Sequence, residues 1–304
     1  MNVIKYRKLW AAISAFMVVA GIVIVFLIKP AFGIDFTGGT LVEVKANQSM
    51  AIEDVRTKVK EIVGQKEVLV QESGQNQFII RTKAQTEEDY KKFEDQVNSS
   101  FPGVNILRHE SIGATVGADL TRKAIIGIIV ASLLIIMYLA YAFREVPRSV
   151  SSWAFGTIAI IALVHDLLFS FAVYTLVGKF AGYEIEGMIV VAALTILGFS
   201  VHDTIVVFDR IRENIIKNPQ RSLEENADVS VNQTLARSLN TSMTVILVLI
   251  SMFLLGGSTI KPFILMLIFG IAVGTYSSIF VASPLLVLWY EAKDKKSLAK
   301  KLSK

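Results

Sequence analysis

Two aspartates lie inside long apolar stretches of this 304-residue sequence, and each directly follows a histidine. The pairs are His165 with Asp166 and His202 with Asp203. An ionisable side chain deep in lipid costs at least about 2.5 to 3.5 kcal/mol on insertion scales, so its presence usually indicates a function. Burial favours the neutral form of a carboxylate, whereas a nearby cation favours the charged form, and histidine titrates near neutral pH. These residue types therefore predict a proton relay inside a membrane.

Arg237 is the predicted counter-ion of Asp203. It begins a polar stripe with helical spacing at the start of the fifth apolar stretch, which consists of Arg237, Asn240, Thr241 and Thr244. Asp203 shares a helical face with Ser200, and Gly198 is expected to leave room for a close neighbour. The alternative is structural, because an Asp–Arg pair can fix helix register and small polar side chains can simply join helices.

Six apolar stretches hold these residues. Most of them reach the roughly 20 residues that cross about 30 Å of hydrocarbon. They are residues 9–28, 124–143, 153–177, 188–208, 241–255 and 262–290. The fifth is too short unless it begins upstream, near Leu235. In the sixth, Gly270 and Gly274 predict close helix packing, and Pro284 predicts a kink.

The net charge of +5 is distributed according to the positive-inside rule. Basic residues cluster at both ends of the chain and in alternate loops, whereas the opposite short loops hold only Lys179 and Lys261. We therefore expect a multi-pass protein of the bacterial plasma (inner) membrane, with both termini cytoplasmic and no nucleic-acid partner. A cleaved signal peptide is disfavoured for the first stretch, because its apolar run exceeds the roughly 7 to 15 residues of such signals.

Residues 30–121 are more charged and carry periodic apolar positions, as expected of a soluble extracytoplasmic domain. Strand patterns at 39–46, 67–72, 77–82 and 104–109 alternate with helical patterns at 50–63 and 86–101. The order β-α-β-β-α-β is that of a ferredoxin-like fold. Because that fold hosts many functions, the order alone predicts only an interaction role.

The fold class predicted is an α-helical polytopic membrane protein with six transmembrane helices and an inserted ferredoxin-like α+β domain. Its parts are residues 1–29 (cytoplasmic N-terminus and first helix), 30–121 (extracytoplasmic domain), 122–290 (helices two to six) and 291–304 (basic cytoplasmic tail). Between the fourth and fifth helices, residues 209–234 suit either an amphipathic interfacial helix or a solvated linker.

The sequence lacks the residue sets of common catalytic and metal sites. It contains no cysteine, and a three-histidine zinc site is impossible with only His165 and His202 in the membrane. An intramembrane hydrolase is therefore disfavoured. We expect no enzymatic activity, no metal and no cofactor.

Several strings of residues are distinctive. FGIDFTGGT at residues 32–40 contains Gly33, Asp35, Phe36, Gly38 and Gly39, and its glycines are expected to permit a tight backbone path into the first strand. The others are LVHD at 163–166, GFSVHDTIVVFDRIREN at 198–214 and NQTLARSLNTS at 232–242. Together they resemble the SecD/SecF family of the resistance-nodulation-division superfamily.

The resemblance implies an accessory subunit of the Sec protein-export machinery. Such a subunit works with SecD, here a separate chain, and with the SecYEG channel, and it uses the proton-motive force in late translocation of unfolded exported polypeptides. The resemblance places Asp203 and Arg237 on proton-pathway positions, whereas some members carry asparagine at the position of His202, whose role stays open. The residues alone also leave sodium coupling open. The alternative function is half of a superfamily transporter that exports small molecules or lipids.

Overall fold

The computed structural model describes residues 2–47, 50–64, 68–74, 76–83, 87–100, 103–143 and 152–302. The chain folds as two compact units. The helical unit comprises Met1–Lys29, Gly127–Phe180 and Ile189–Lys304, and the sheet unit comprises Pro30–Ile126 and Ala181–Met188. The sheet unit is therefore built from two separate segments of the chain.

The described residues form ten α-helices and four strands. In chain order these are α1 (Arg7–Ile28), α2 (Ile34–Thr37), β1 (Gly39–Ala46), α3 (Ile52–Val63), β2 (Leu69–Gly74), β3 (Gln77–Thr82), α4 (Glu87–Ser100), β4 (Val104–Ile112), α5 (Ala114–Ala142), α6 (Ser152–Ala181), α7 (Gly187–Lys217), α8 (Leu223–Leu255), α9 (Lys261–Ser277) and α10 (Ser283–Leu302). Short 3₁₀ turns lie at Ile4–Tyr6 and Ser258–Ile260, and a π-helical turn occupies Ser278–Ala282.

Six helical segments of the described residues are long and apolar enough to cross a membrane, which confirms the predicted number. They are Ile4–Ile28, Ala114–Ala142, Trp153–Ala181, Gly187–Lys217, Leu223–Leu255 and Ser258–Lys293. The fifth does begin upstream of its apolar stretch, as its length required. The second begins at Ala114, before the apolar pattern starts at residue 124, because the helix continues through a polar first part.

Aromatic rings fill part of the core of the helical unit. Phe143, Phe155 and Phe208 are fully buried. The rings of Phe143 and Phe155 stack with centroids 5.0 Å apart, and Phe208 meets Phe155 edge to face at 5.1 Å. This mutual arrangement adds about 0.5 to 1.5 kcal/mol per pair to the burial of the rings.

Two glycines of α9 pack against α7, as the sequence predicts. A Cβ atom at Gly270 would lie 2.2 Å from the side chain of Ile196, and one at Gly274 would lie 3.0 Å from Cβ of Ser200. Gly198 differs from its prediction, because no described atom lies within 4 Å of a Cβ built there. The close approach of these two helices therefore depends on α9 glycines and not on Gly198.

Residues 209–234 form a helical hairpin, which corrects the prediction of an interfacial helix or a linker. Ser222 starts the second helix with a capping box, in which its hydroxyl accepts from the Glu225 amide at 3.2 Å and its own amide donates to the Glu225 carboxylate at 2.9 Å. Asn214 donates to Ser230 across the hairpin at 2.7 Å. Apolar residues of both helices lie in one buried cluster, which explains their amphipathic pattern.

The irregularity expected at Pro284 takes the form of the π-helical turn that precedes it. Proline has no N–H, so the carbonyl of Phe280 cannot receive an ordinary helical hydrogen bond from this position. The Ser283 hydroxyl donates to the Ser278 carbonyl at 3.0 Å. A π turn holds one residue more than an α turn and is frequent at functional sites.

The sheet unit contains an antiparallel sheet with the order β2-β3-β1-β4, which confirms the ferredoxin-like prediction. Alternate residues of the strands and one face each of α3 and α4 form its core. The buried members include Val42, Val44, Phe78, Ile80, Val55, Val59, Phe93 and Val97. Strand β1 has its predicted bounds, whereas β4 continues beyond residue 109 because it pairs with β1 as far as Gly39.

Candidate functional site

Asp166 of α6 is fully buried in the helical unit. Its Oδ1 lies 2.9 Å from Nδ1 of His165, and its Oδ2 accepts hydrogen bonds from Ser200 at 2.5 Å and Ser277 at 2.6 Å. Three helices, α6, α7 and α9, thus supply groups to one carboxyl group. Among the ion pairs of the described residues, His165 is the only partner of Asp166.

The imidazole of His165 is also buried, with 3% of the residue exposed. Its ring centroid lies 6.5 Å from that of Phe169 and 6.3 Å from that of Tyr276. While Nδ1 faces Asp166, Nε2 has no hydrogen-bond partner among the described residues. Imidazole can hold a proton on either nitrogen, so this residue can receive a proton at one side and present one at the other.

Asp203 of α7 is half-buried and receives two hydroxyl donors. Ser238 of α8 donates to Oδ1 at 2.5 Å, and Ser278 of the π-helical turn donates to Oδ2 at 2.5 Å. Hydrogen bonds from neutral hydroxyls stabilise a carboxylate without cancelling its charge. Asp203 can therefore change its protonation state without first breaking an ion pair.

Consecutive serines connect the two carboxyl groups, because Ser277 binds Asp166 and Ser278 binds Asp203. Each hydroxyl also lies 3.1 Å from a backbone carbonyl three residues earlier, that of Gly274 or Thr275. A hydroxyl donates one hydrogen bond, so each serine can donate either to the carboxylate or to the backbone carbonyl of its own helix. We call Asp166, Asp203, Ser277 and Ser278 the carboxylate–serine network.

The predicted Asp203–Arg237 ion pair does not occur among the described residues. Arg237 is exposed, as are the other members of its predicted stripe, and its neighbour Ser238 is buried against Asp203 instead. The buried polar positions of α8 are Asn226, Ser230, Thr234, Ser238 and Ser242. Adjacent helical residues point about 100° apart, so a polar run on both sides does not show which member faces inward.

His202 is exposed and contacts no member of the network among the described residues, whereas His165 contacts Asp166. The sequence pattern does not indicate a role in the relay for Ser238, Ser277 or Ser278. Their only signal was position, since Ser277 continues the glycine face of α9. Most helical serines simply bond to their own backbone, as Ser251 does to Leu247.

The network has the composition of a proton-transfer site. No group of three or more potential metal ligands occurs among the described residues. Carboxyl, imidazole and hydroxyl groups all accept and donate protons, and here they follow one another at hydrogen-bond distance. The arrangement can hold a proton at either carboxyl group and change its hydrogen bonds in response.

The glycine motif of residues 32–40 lies in the sheet unit and begins its first strand. Gly38 has φ of 72°, and a Cβ there would lie 2.8 Å from Cα of Ala114, so both conformation and space require glycine. Gly39 is also in the region of positive φ. Gly33 has ordinary extended backbone and is restricted by space alone, because a Cβ would lie 2.9 Å from Cγ of Glu186.

Asp35 of the motif contacts the loop of residues 181–188, and the two aromatic rings of the motif contact each other. The Asp35 carboxylate accepts from the Gly187 amide at 2.6 Å, at the first residue of α7. The Phe36 ring meets the Phe32 ring edge to face with centroids 6.1 Å apart. The motif therefore packs on the loop of residues 181–188, which the sequence pattern did not indicate.

Arg81 of β3 pairs with two glutamates of the same loop. It contacts Glu184 closely and Glu186 at 3.3 Å, and it donates to Gln71 at 2.8 Å. Burial raises the pKa of both Glu184 and Glu186 above the ordinary value of 4.5, although the Arg81 charge opposes this. Proximity of Asp35 raises the pKa of Glu186 further.

Fold and site together define a polytopic membrane protein with titratable groups between its helices and an inserted ferredoxin-like unit. Two family profiles match the chain: "Protein export membrane protein SecD/SecF, C-terminal" over residues 92–292, and "SecD/SecF GG Motif" over residues 25–50.

Several curated proteins are similar over most of their length. Protein translocase subunit SecF of Thermobaculum terrenum is 39% identical, with 97% of this chain and 95% of that protein covered. Protein translocase subunit SecF of Anaerolinea thermophila is 35% identical, with 95% and 94% covered. The chain belongs to the SecD/SecF family of protein export membrane proteins.

Solved structures of SecDF share the fold. The crystal structure of SecDF, a translocon-associated membrane protein from Thermus thermophilus, matches with a TM-score of 0.84 at 32% identity. The match covers 96% of this chain and 39% of that SecDF chain. A second crystal structure, of SecDF in a super-membrane-facing form, matches with a TM-score of 0.71 at 31% identity, and this match covers 99% of this chain and 40% of that SecDF chain. The chain therefore spans about two fifths of SecDF.

Proposed function

We propose that this chain is the SecF-type subunit of the Sec protein-export machinery and couples late translocation of unfolded polypeptides to the proton-motive force. It acts as a transport subunit and not as an enzyme. The observation that carries the proposal is the carboxylate–serine network, which links two intramembrane aspartates through consecutive residues of one helical segment. The similarity to proteins named translocase subunit SecF supports the export role.

Protonation of Asp203 would change the hydrogen bonds of the π-helical turn. A neutral carboxyl group has a hydroxyl that donates, so it is a weaker acceptor than the carboxylate. Ser278 then donates its hydrogen bond to the Thr275 carbonyl, which already lies 3.1 Å from the Ser278 hydroxyl. The same exchange is open to Ser277 at Asp166, through the Gly274 carbonyl. A proton on Asp203 thereby alters how α7 is held against the sixth span, and a proton on Asp166 alters how α6 is held against it.

Partners and placement follow from the same proposal. Because similar proteins are named translocase subunit SecF, SecD and the SecYEG channel are the proposed partners of this chain. Residues 30–121 are proposed to lie outside a bacterial inner membrane, with both termini in the cytoplasm. Arg237, His202 and the polar stripe of α8 are exposed on this chain, and Arg237 is proposed to enter the proton pathway only in the assembled complex.

The deciding experiment is export of a secreted reporter into inverted membrane vesicles that contain the assembled complex, with and without a proton gradient. Asp203→Asn keeps the size of the side chain but removes its titration. Asp209→Asn is the matched control, because Asp209 lies on the same helix and pairs with Arg212 at 2.9 Å at an exposed position. We expect Asp203→Asn to lose the gradient-dependent part of export and Asp209→Asn to keep it.

A second arm replaces the proton gradient by a sodium gradient of the same size. Export driven by sodium alone, and lost in Asp203→Asn, would contradict proton coupling while keeping the site. Wild-type export by Asp203→Asn under both gradients would contradict the proposed role of the network.

A further inference from the structure

The loop between α6 and α7 is built into the sheet unit by backbone hydrogen bonds. Residues 181–188 belong to that unit, and Ile185 forms a parallel bridge with Phe32. The Gly33 amide donates to the Ile185 carbonyl at 2.9 Å, and the Ile185 amide donates to the Ala31 carbonyl at 2.9 Å. The loop is thus paired with the segment that begins the glycine motif.

Side chains fix the loop on both sides of this bridge. Arg81 contacts Glu184 before Ile185 and Glu186 after it, and the side chains of Arg81 and Glu184 are only 11% and 3% exposed. Buried ion pairs are costly to break singly, because each leaves an uncompensated charge. The loop is therefore attached at three consecutive residues, through the ion pairs of Glu184 and Glu186 and the backbone hydrogen bonds of Ile185.

Asp35 extends the attachment to the first residue of α7. Its carboxylate accepts from the Gly187 amide, which has no partner within the helix at this position. A negative charge at a helix start is also favoured by the helix dipole. A Cβ at Gly187 would lie 3.0 Å from the Asp35 carboxylate, so a side chain there would displace this carboxylate by a few tenths of an ångström.

Helix α7 then runs unbroken from Gly187 to Lys217 and carries Asp203. An unbroken α-helix is a stiff element, and about 1.5 Å per residue separates the attachment from Asp203 along it. Displacing the start of the helix therefore displaces the carboxyl group that changes its hydrogen bonds on protonation.

We infer that the crossing of the glycine motif and the 181–188 loop, held by Asp35 and Arg81, is the link through which the sheet unit and the Asp203 helix move together. The inference rests on the proposed function and names its transmission element. Asp35 and Arg81 are positioning residues, since neither contacts the network. The link stays closed while the protein works.

The first test separates export from proton movement. In reconstituted complexes, Asp35→Ala with Arg81→Ala is expected to lower gradient-dependent export by roughly 5-fold to 150-fold, the range of a lost coupling between two sites. Proton uptake that depends on Asp203 is expected to continue at the wild-type rate. Asp35→Asn keeps an acceptor for Gly187 and should retain export, and Arg56→Ala is the control, because its ion pair with Glu53 lies within α3.

The second test locks the link. The chain has no cysteine, so Phe32→Cys with Ile185→Cys introduces one disulfide across the bridge, which can be opened by reduction. We expect gradient-dependent export to be the same in the oxidised and reduced forms. Loss of export on oxidation that reduction restores would overturn the inference, because the link would then have to open.

Failure of the link and failure of the proposed function give different results. If wild-type proton uptake does not depend on Asp203, the proposed function is wrong. If it does, and Asp35→Ala with Arg81→Ala either leaves export unchanged or stops proton uptake as well, the link is wrong.

Discussion

At the residue scale, the site depends on hydroxyl donors that have two acceptors each. Ser277 and Ser278 lie within reach of a carboxylate and of a backbone carbonyl. A donor of this kind responds to the charge of its partner, since a charged acceptor binds roughly twice as strongly as a neutral one. The protonation state of each aspartate therefore determines whether its serine donates to the carboxyl group or to the backbone of the helix.

Replacing these serines should affect coupling more than folding. Ser278→Ala removes one donor from the half-buried Asp203, at a cost of about 1 to 3 kcal/mol if the carboxylate stays charged. We expect gradient-dependent export to fall, because Asp203 then loses its hydrogen bond to the sixth span. The measurement is export with and without a proton gradient, with Ser251→Ala as the control, because the Ser251 hydroxyl bonds to its own helix. Unchanged gradient-dependent export by Ser278→Ala would contradict this role.

The sequence predicts which acidic residues lie between the helices and fails to predict their partners. Asp166 and His165 lie together, and Asp203 faces neighbouring helices, as their position in apolar stretches indicates. The choice between Arg237 and Ser238 as the partner of Asp203 depends on a rotation of about 100°, which a run of polar residues does not encode. Ser277 and Ser278 follow the small residues Gly270 and Gly274, so their sequence pattern indicates close helix packing. Their hydrogen bonds to Asp166 and Asp203 depend on contacts with other helices, which this pattern does not encode.

At the element scale, the π-helical turn contains Ser278, which donates to Asp203. Pro284→Ala supplies an N–H to the Phe280 carbonyl and allows a regular α-helix, which proline disfavours by about 3 kcal/mol relative to alanine. We expect a complex that still assembles, with thermal stability equal to or above wild type, and with reduced gradient-dependent export. Pro262→Ala is the matched control, because Pro262 lies in the first turn of α9, where proline is tolerated. Full export by Pro284→Ala would show that the turn is not required.

The loop glutamates predict a pH dependence of the sheet unit. Glu184 and Glu186 have a raised pKa when folded, so the folded unit binds more protons than the unfolded chain above pH 4.5. Its stability is therefore greatest below that pH and falls as the pH rises through the folded pKa values. Amide exchange of β3, corrected for its intrinsic pH dependence, should be slower at pH 5 than at pH 7. Glu184→Gln should weaken this difference and Glu53→Gln, at an exposed site on α3, should not.

At the scale of the whole molecule, the chain's lack of cysteine makes its topology directly measurable. Lys60→Cys on α3 and Lys217→Cys at the end of α7 are both at exposed positions. We expect a membrane-impermeant maleimide to label Lys60→Cys in intact spheroplasts and Lys217→Cys only after the membrane is opened. Labelling of both from the same side would contradict the proposed placement of residues 30–121.

The architecture follows from the sequence more fully than the site does. Apolar length gives six spans, and alternation of apolar residues gives the four-stranded sheet, because burial repeats along each element. What the sequence does not show is that residues 181–188 join the sheet unit, since Arg81 and Glu184 are 103 positions apart. It likewise does not show the hairpin of residues 209–234, whose two helices contribute apolar residues to one buried cluster.

The π-helical turn holds one residue more than a turn of α-helix. A shift of that extra residue by one position would advance the residues it passes by about 1.5 Å and rotate them by about 100° relative to the rest of the helix. Because consecutive serines bind the two aspartates, such a shift would reach both carboxyl groups at once.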